Sequence, residues 1–395
     1  MQSVEKFLSR LLIYSFPRRI VFGLNSIEKI ENEVKALNGR NVLLIADPVV
    51  AKTGAVAKIE QKLEAAEISL LLYDKVEPEP PLALAEEVAE LARRTKVDAV
   101  LAVGGGSTMD LGKVAALSIT NQGLIESYLG MNLVKSRSAP LICAPTTSGS
   151  GSEVTQFAVL KIGEKKRSII SQNIVPESVI LDPMLTISMP PRVTANSGVD
   201  ALSHAVEAVL SMDASPLTDA IAFQAINLIA RNIRAAYREG SNIEARSAMH
   251  LAATSSGIAF TNARLVVGHS ISHTFAPIFN VPHGQSCAMA LPYAMEFYLS
   301  TVPEKLGLIA IAMDESTIGL EPMEAAKEAV RVVRRLIEDL DIPLSLKEVG
   351  VPEEKLSMLA ELCVKDWPRP NSPRPLTKEA VLEVFQRMWR GEPLQ

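Results

Sequence analysis

Asp98-Ala-Val-Leu-Ala-Val103-Gly-Gly-Gly106-Ser-Thr-Met-Asp110-Leu-Gly-Lys-Val-Ala-Ala-Leu117 is the stretch on which the fold turns. It opens on an apolar run of strand length, meets three glycines, and resumes with small and apolar residues at helical spacing. Strand, glycine turn and helix form one repeat of a parallel sheet. Toward the N-terminus, Asn41-Val-Leu-Leu-Ile-Ala46 reads as a buried strand leaving through Asp47-Pro48. A helix is expected near 55–66, a strand at Ser69–Tyr73, and Leu82, Leu84, Val88 and Leu91 recur at helical spacing. Toward the C-terminus, Leu141-Ile-Cys-Ala144 is another strand. The alternation predicts a parallel sheet with helices on its faces.

Past the pair Pro190-Pro191 the character changes. Segments rich in Ala, Leu, Met, Glu and Arg at 216–237, 243–260, 322–340, 353–364 and 377–389 predict helices, several opened by a cap or first-turn proline (Ser215-Pro216, Glu321-Pro322, Thr377). The expected organisation is a dinucleotide-binding α/β domain over 1–190 and an all-helical metal-binding and substrate domain over 191–395.

Composition agrees with a globular protein: 395 residues, 48% hydrophobic, 22% charged, net charge -5. No basic stripe points to nucleic acid, and no apolar run has membrane-spanning length. The opening MQSVEKFLSRLLIYSFPRR is interrupted by Arg10 and lacks a small-residue cleavage site, so it reads as a short amphipathic helix or arm. Cys143, Cys287 and Cys363 are odd in number, widely spaced and form no CxxC, which predicts reduced thiols in a cytoplasm, and they are read as remote in sequence from the histidine cluster.

Gly104, Gly105 and Gly106 let a bound group approach the backbone, and the following helix N-terminus offers N–H donors to a phosphate. A tight turn without a ligand is the rival reading. The loop Pro145-Thr-Thr-Ser-Gly-Ser-Gly-Ser-Glu153 supplies five hydroxyls after a second strand, and two such loops favour a ligand at the carboxyl ends of the strands. This is not the GxGxxG fingerprint, and the strand-end acid Asp47 precedes the glycines. An acid on the adenine ribose favours NAD(H) over NADP(H); the bland alternative is a turn residue before proline.

Asp200 and His204 are four residues apart, as are His269 and His273, and His283 follows in Val-Pro-His-Gly. Residues i and i+4 share a helix face. Asp200 is expected in the first turn of its helix, where a carboxylate suits the N-terminus without any ligand. Repeated coincidence is the poorer account, and one carboxylate with three imidazoles, Asp200, His204, His269 and His283, suits Fe²⁺ or Zn²⁺. Structural zinc sites are usually richer in cysteine, which favours a metal used for chemistry. His273 is expected to be a proton shuttle and His250 a core histidine.

The motifs GGGSTMDLGK, PTTSGSGSE, GVDALSHAVE and GHSISH…PHG resemble those of the iron-dependent (group III) alcohol dehydrogenases, a family with lactaldehyde reductase and 1,3-propanediol dehydrogenase types. The resemblance runs from Phe16 to Arg374. It implies a Rossmann-like α/β domain and a helical domain with the active site in the cleft, an architecture shared with dehydroquinate synthase. It implies NAD(P)-dependent interconversion of alcohols with aldehydes or ketones in a homodimer or larger homo-oligomer. By motif position, Asp200, His204, His269 and His283 match iron ligands and His273 an additional active-site histidine. Gly104, Gly105, Gly106, Ser107 and Asp110 match the pyrophosphate loop; Thr146, Thr147 and Ser150 match the second nucleotide loop. Lys166 matches a lysine near the cofactor ribose, and Asp47 the acid that disfavours NADP.

The chain departs from the pattern in three places. Ser150 replaces a threonine, Val49 replaces the glycine after the Asp-Pro pair, and Asp366-Trp-Pro-Arg-Pro-Asn371 replaces a Cys-Thr segment. Trp367 either lines the substrate pocket or packs locally. Rival readings are dehydroquinate synthase, glycerol dehydrogenase, maleylacetate reductase, a hydroxyacid–oxoacid transhydrogenase, and a non-enzymatic nucleotide- or metal-binding protein.

Overall fold

The computed structural model describes residues 11–163 and 165–392. Most of the helix or arm expected at the N-terminus lies outside the described residues; 11–17 carry no regular structure. The chain divides into two compact units: 15–189, and 190 onward together with the segment ending at Tyr14.

The first unit is built on a six-stranded parallel sheet. Its strands are β1 (Arg19–Phe22), β2 (Asn41–Ala46), β3 (Ser69–Tyr73), β4 (Ala99–Gly104), β6 (Leu141–Pro145) and β9 (Ser178–Leu181), in the order β1-β9-β6-β4-β2-β3. β2, β4 and β6 are nearly uninterrupted apolar runs because both faces are covered. Leu43, Ile45, Val100, Ala102, Leu141 and Cys143 face a core formed with α3 (Leu82–Arg94) and α4 (Gly106–Thr120). The alternate residues Val42, Leu44, Ala99, Leu101, Val103, Ile142 and Ala144 face α1 (Ile30–Ala36) and α2 (Gly54–Ala65). A second, three-stranded sheet of β5 (Gly130–Met131), β7 (Phe157–Ile162) and β8 (Lys165–Ile170) was not legible in the apolar pattern. β5 is only two residues long, and β8 opens on the charged run Lys165-Lys166-Arg167.

The second unit is helical, and no strand occurs among its described residues. It comprises α5 (Pro191–Leu210), α6 (Pro216–Arg238), α7 (Ile243–Ala263), α8 (Val267–Phe279), α9 (His283–Phe297), α10 (Pro303–Ala312), α11 (Pro322–Glu338), α12 (Leu356–Asp366) and α13 (Lys378–Arg390). Ser215 closes a reciprocal capping box with Thr218 at the start of α6, and Thr377 caps α13 through Ala380 N. No helix among the described residues is long and apolar enough to cross a membrane. Asn371 pins the chain beside α5: its Nδ2 donates to Ser211 Oγ at 2.9 Å and Leu265 O at 3.0 Å.

Candidate active site

On α5, Asp200, His204 and Glu207 follow at spacings of four and three and share one face. The helix begins at Pro191, so Asp200 lies more than two turns inside it rather than in the first turn expected from the sequence. The proline pair starts the helix early because proline suits its first position. The helix N-terminus therefore does not explain this buried carboxylate. His269 and His273 lie on α8, which ends where Asn280 takes the left-handed conformation (φ 53°). The chain turns back through Pro282 into α9, whose first residue is His283. Gly284 allows the close approach, because a Cβ there would lie 2.4 Å from Asn196 O on α5.

These three helices surround one oxygen. Asp200 Oδ1 stands 3.6 Å from His283 Nε2, 3.7 Å from His269 Nε2 and 3.9 Å from His204 Nε2. Such separations are too long for hydrogen bonds, and the buried Oδ1 has no hydrogen-bond partner. They approach the edges of a coordination polyhedron: donors about 2.0–2.2 Å from a shared ion stand about 3.4 Å apart at the tetrahedral angle. Burial pushes the Asp200 carboxyl up, but His204, His283 and His269 overcome it and hold it well below the usual carboxylate range. An ionised carboxylate ringed by imidazole nitrogens fits a divalent cation.

Glu207 was not singled out in the sequence, although it extends the Asp200–His204 face by a turn. Its Oε1 lies 2.6 Å from His269 Nδ1, and its Oε2 accepts from Val266 N at 2.7 Å. The contact makes Nδ1–H the donor and leaves Nε2 directed at Asp200, the carboxylate–histidine arrangement that orients metal ligands. Burial opposes charge on His269, while Cys287 and Glu207 draw its pKa well above the ordinary value. Glu207→Gln is expected to weaken divalent-metal binding by roughly 10–100-fold. Competition with a chromogenic chelator measures this, and an unchanged affinity would remove Glu207 from the site.

Cys287 is a correction to the sequence reading, which kept every cysteine out of the cluster. It follows His283 by one turn of α9, with Sγ 3.6 Å from both His269 Nε2 and His283 Nε2. Its i, i+4 relation to His283 was the available signal. The His273 ring lies 5.1 Å from that of His283 and 4.5 Å from that of the half-buried Trp367, so Trp367 packs on the proposed shuttle. His250 is buried elsewhere on α7, and burial lowers its pKa to about 4, as befits a neutral core histidine.

In the α/β unit, three predicted elements meet at the carboxyl ends of adjacent strands. Ala46 pairs with Val103, and Gly104 with Pro145, which brings Asp47, the glycine turn and the hydroxyl loop to one edge of the sheet. A Cβ on Gly104 would lie 2.2 Å from Thr108 Oγ1, and one on Gly106 would lie 2.9 Å from Ser150 Oγ. The glycines thus permit the turn itself and the contact between the loops. Thr146 N donates to Gly104 O at 2.9 Å. Ser107 Oγ accepts from Glu79 N at 3.1 Å, and Thr147 Oγ1 lies 3.5 Å from the ideal Cβ of Gly105.

Asp110 serves the fold: Oδ1 accepts from Ser152 Oγ at 2.7 Å and Oδ2 from Val159 N at 3.1 Å. The fully buried Lys113 holds the same loop through Ser152 Oγ (2.8 Å) and Thr155 Oγ1 (3.1 Å). Lys166 Nζ pairs with Glu79 Oε1 at 2.7 Å. Asp47 Oδ1 accepts from the N–H groups of Val49 and Val50, both at 2.9 Å, so the turn role weighed for it is present.

The iron-containing alcohol dehydrogenase family matches residues 17–183, and the C-terminal region of the same family matches 194–389. The chain belongs to this family. This chain is 37% identical to the 1,3-propanediol dehydrogenase of Citrobacter freundii over 96% of its own length and 99% of the relative's. The crystal structure of a 1,3-propanediol oxidoreductase superposes with a TM-score of 0.93 at 37% identity, covering 96% of this chain and all of that one. Sulfoacetaldehyde reductase from Bifidobacterium kashiwanohense, solved in complex with NAD+, has a TM-score of 0.85 at 27% identity, over 96% of this chain and 99% of that one. This iron-containing alcohol dehydrogenase is a metal-dependent oxidoreductase acting on alcohols, and the rival enzyme classes are not favoured.

Proposed function

We propose that this enzyme transfers a hydride between an alcohol carbon and NAD(H), with Fe²⁺ as the ion and Asp200, His204, His269 and His283 as its ligands. The observation that carries the reading is the buried Asp200 Oδ1, unpartnered yet surrounded by three imidazole nitrogens at 3.6–3.9 Å. An ion held there supplies Lewis acidity to an alcohol or carbonyl oxygen. Glu207 keeps His269 in the tautomer that presents Nε2 to the ion. His273, one turn beyond His269, passes the alcohol proton to water.

Gly104, Gly105, Gly106 and Ser107 hold the pyrophosphate, and Thr146, Thr147 and Ser150 bind beside it. Asp110 acts through Ser152, whose hydroxyl it orients in the second loop. Lys166 lies near the ribose, with Glu79 as its counter-charge. Asp47, at the end of β2, repels a 2′-phosphate. The α/β unit is thus the dinucleotide-binding domain and the helical unit the metal and substrate domain. Three free, buried thiols suit a reducing cytoplasm. The partly exposed Ile20 and Phe22 on edge strand β1 favour a homo-oligomer, which light scattering on the full chain tests.

The functional test is anaerobic loading with Fe²⁺ or Zn²⁺, metal analysis, and NADH or NADPH oxidation over short aldehydes and ketones. Turnover with NADH is expected to require stoichiometric metal and to exceed that with NADPH at least roughly tenfold, about 1.4 kcal/mol of discrimination. Equal turnover by the metal-free protein would end the metal assignment. Preference for NADPH would end the role given to Asp47.

A further inference from the structure

Cys287 stands where a donor to the ion would stand. Its thiol is buried in the wall shared by α8 and α9. One carboxylate oxygen of Asp200, one nitrogen each of His269 and His283, and Cys287 Sγ all lie within 4.8 Å of one another. Sulfur bonds about 2.3 Å and nitrogen bonds about 2.0–2.1 Å from one ion give an S···N edge of about 3.1 Å at 90° and about 3.8 Å at 120°, the angles available to five donors. Cys287 Sγ lies 3.6 Å from His269 Nε2 and 3.6 Å from His283 Nε2. The unpartnered Asp200 Oδ1 completes the group from α5. A second polar neighbour, Ser272 Oγ, is 3.3 Å from the sulfur on the side of Ser286.

We propose that the Cys287 thiolate is a further ligand of the ion held by Asp200, His204, His269 and His283. The inference rests on the metal centre set out above and names a donor beyond it. A thiol that coordinates a divalent ion is deprotonated outright. On binding, the S–H bond breaks heterolytically, the sulfur pair forms the S–metal bond, and the proton passes to solvent. No electron is transferred. A thiolate brings a second negative charge and a soft donor, which shifts preference toward Zn²⁺ and Co²⁺ and away from ions served by oxygen and nitrogen alone. The competing account is a thiol that merely hydrogen-bonds to His269 and contributes nothing to the ion.

Co²⁺ distinguishes the two. The full-length protein is stripped of metal, refilled anaerobically with Co²⁺, and compared with Cys287→Ser, Cys287→Ala and Asp200→Asn. The wild type is expected to show d–d bands together with a thiolate-to-cobalt charge-transfer band in the near ultraviolet. Both cysteine variants are expected to keep the d–d bands and lose the charge-transfer band. Losing an outer-shell partner alone costs roughly 10–100-fold in metal affinity. Loss of the sulfur is therefore expected to weaken Zn²⁺ binding at least about tenfold and Mn²⁺ binding much less. Circular dichroism and thermal melting establish that both variants fold, and serine serves where alanine does not.

Cobalt bound through Asp200 without a charge-transfer band in the wild type overturns the sulfur ligand and leaves the metal centre standing. The same holds if the band survives in both cysteine variants, since it then arises at another thiol. Cobalt binding that is equal in wild type and Asp200→Asn overturns the metal centre and the sulfur ligand together.

Discussion

His269→Ala is expected to emerge without bound metal and with turnover reduced roughly 10³-fold or more. Removing one preorganised donor from a reacting centre costs about 10²–10³ in rate, and this substitution removes the ion as well. His269 has a second, structural consequence. Its Nδ1 satisfies the buried Glu207, and a buried charge stripped of its partner destabilises by about 3–5 kcal/mol. His283→Ala separates the effects, because that side chain is 30% exposed and faces Asp200 without bracing Glu207. Both variants are expected to lose metal and activity, and only His269→Ala to melt markedly lower as the apoprotein. Metal analysis, steady-state rates and apoprotein melting curves measure all three quantities. A His269→Ala enzyme that keeps its metal and its rate removes this residue from the ligand set.

Gly284→Ala is expected to be among the most damaging single-methyl additions in the helical unit. Alanine favours a helix over glycine by about 1 kcal/mol, so propensity alone predicts stabilisation. Here the added Cβ would sit 2.4 Å from Asn196 O and 2.8 Å from Asn196 C. Those are backbone atoms of α5, which no rotamer change moves aside. Overpacking of this kind costs about 1–3 kcal/mol, and relief requires α9 to back away from α5. At the upper end, the apoprotein melting temperature falls by roughly 6–12 °C for a unit of this size. The withdrawal also carries His283 away from Asp200, so affinity for Zn²⁺ is expected to fall with stability. Calorimetry and zinc titration test the pair. An unchanged melting temperature with unchanged zinc affinity would mean that the approach of α9 to α5 does not depend on this glycine.

Both results depend on helix-to-helix approach, and there the sequence and the folded molecule part company. The i, i+4 relation placed Asp200 with His204, and His269 with His273, because helix geometry alone puts such residues on one face. It did not reveal that Asp200 lies deep in α5, since the helix start at Pro191 stands well upstream of the motif. Glu207 carried a weak signal on the same face, but only its 2.6 Å contact with His269 shows its task. Cys287 obeyed the spacing rule from His283, four residues upstream, although the cysteines read as remote from the cluster. In the α/β unit, the apolar runs and glycine punctuation located β2, β4 and β6 and their loops. The small sheet of β5, β7 and β8 escaped because β5 is only two residues long and β8 opens on Lys165, Lys166 and Arg167.

Local periodicity and backbone chemistry therefore determined, from the residues alone, the alternating parallel sheet, the helical half, the two loops and the pairing of Asp200 with His204 and of His269 with His273 on their helix faces. These properties depend on neighbours within a few residues along the chain. Tertiary structure alone decided that three helices turn Asp200, His269, His283 and Cys287 toward one point with His204 beside Asp200, and that Asp110 and Lys113 order a loop instead of lying bare. Distances between residues far apart in the chain arise from packing, in which a single methyl at Gly284 or Gly106 changes what can touch.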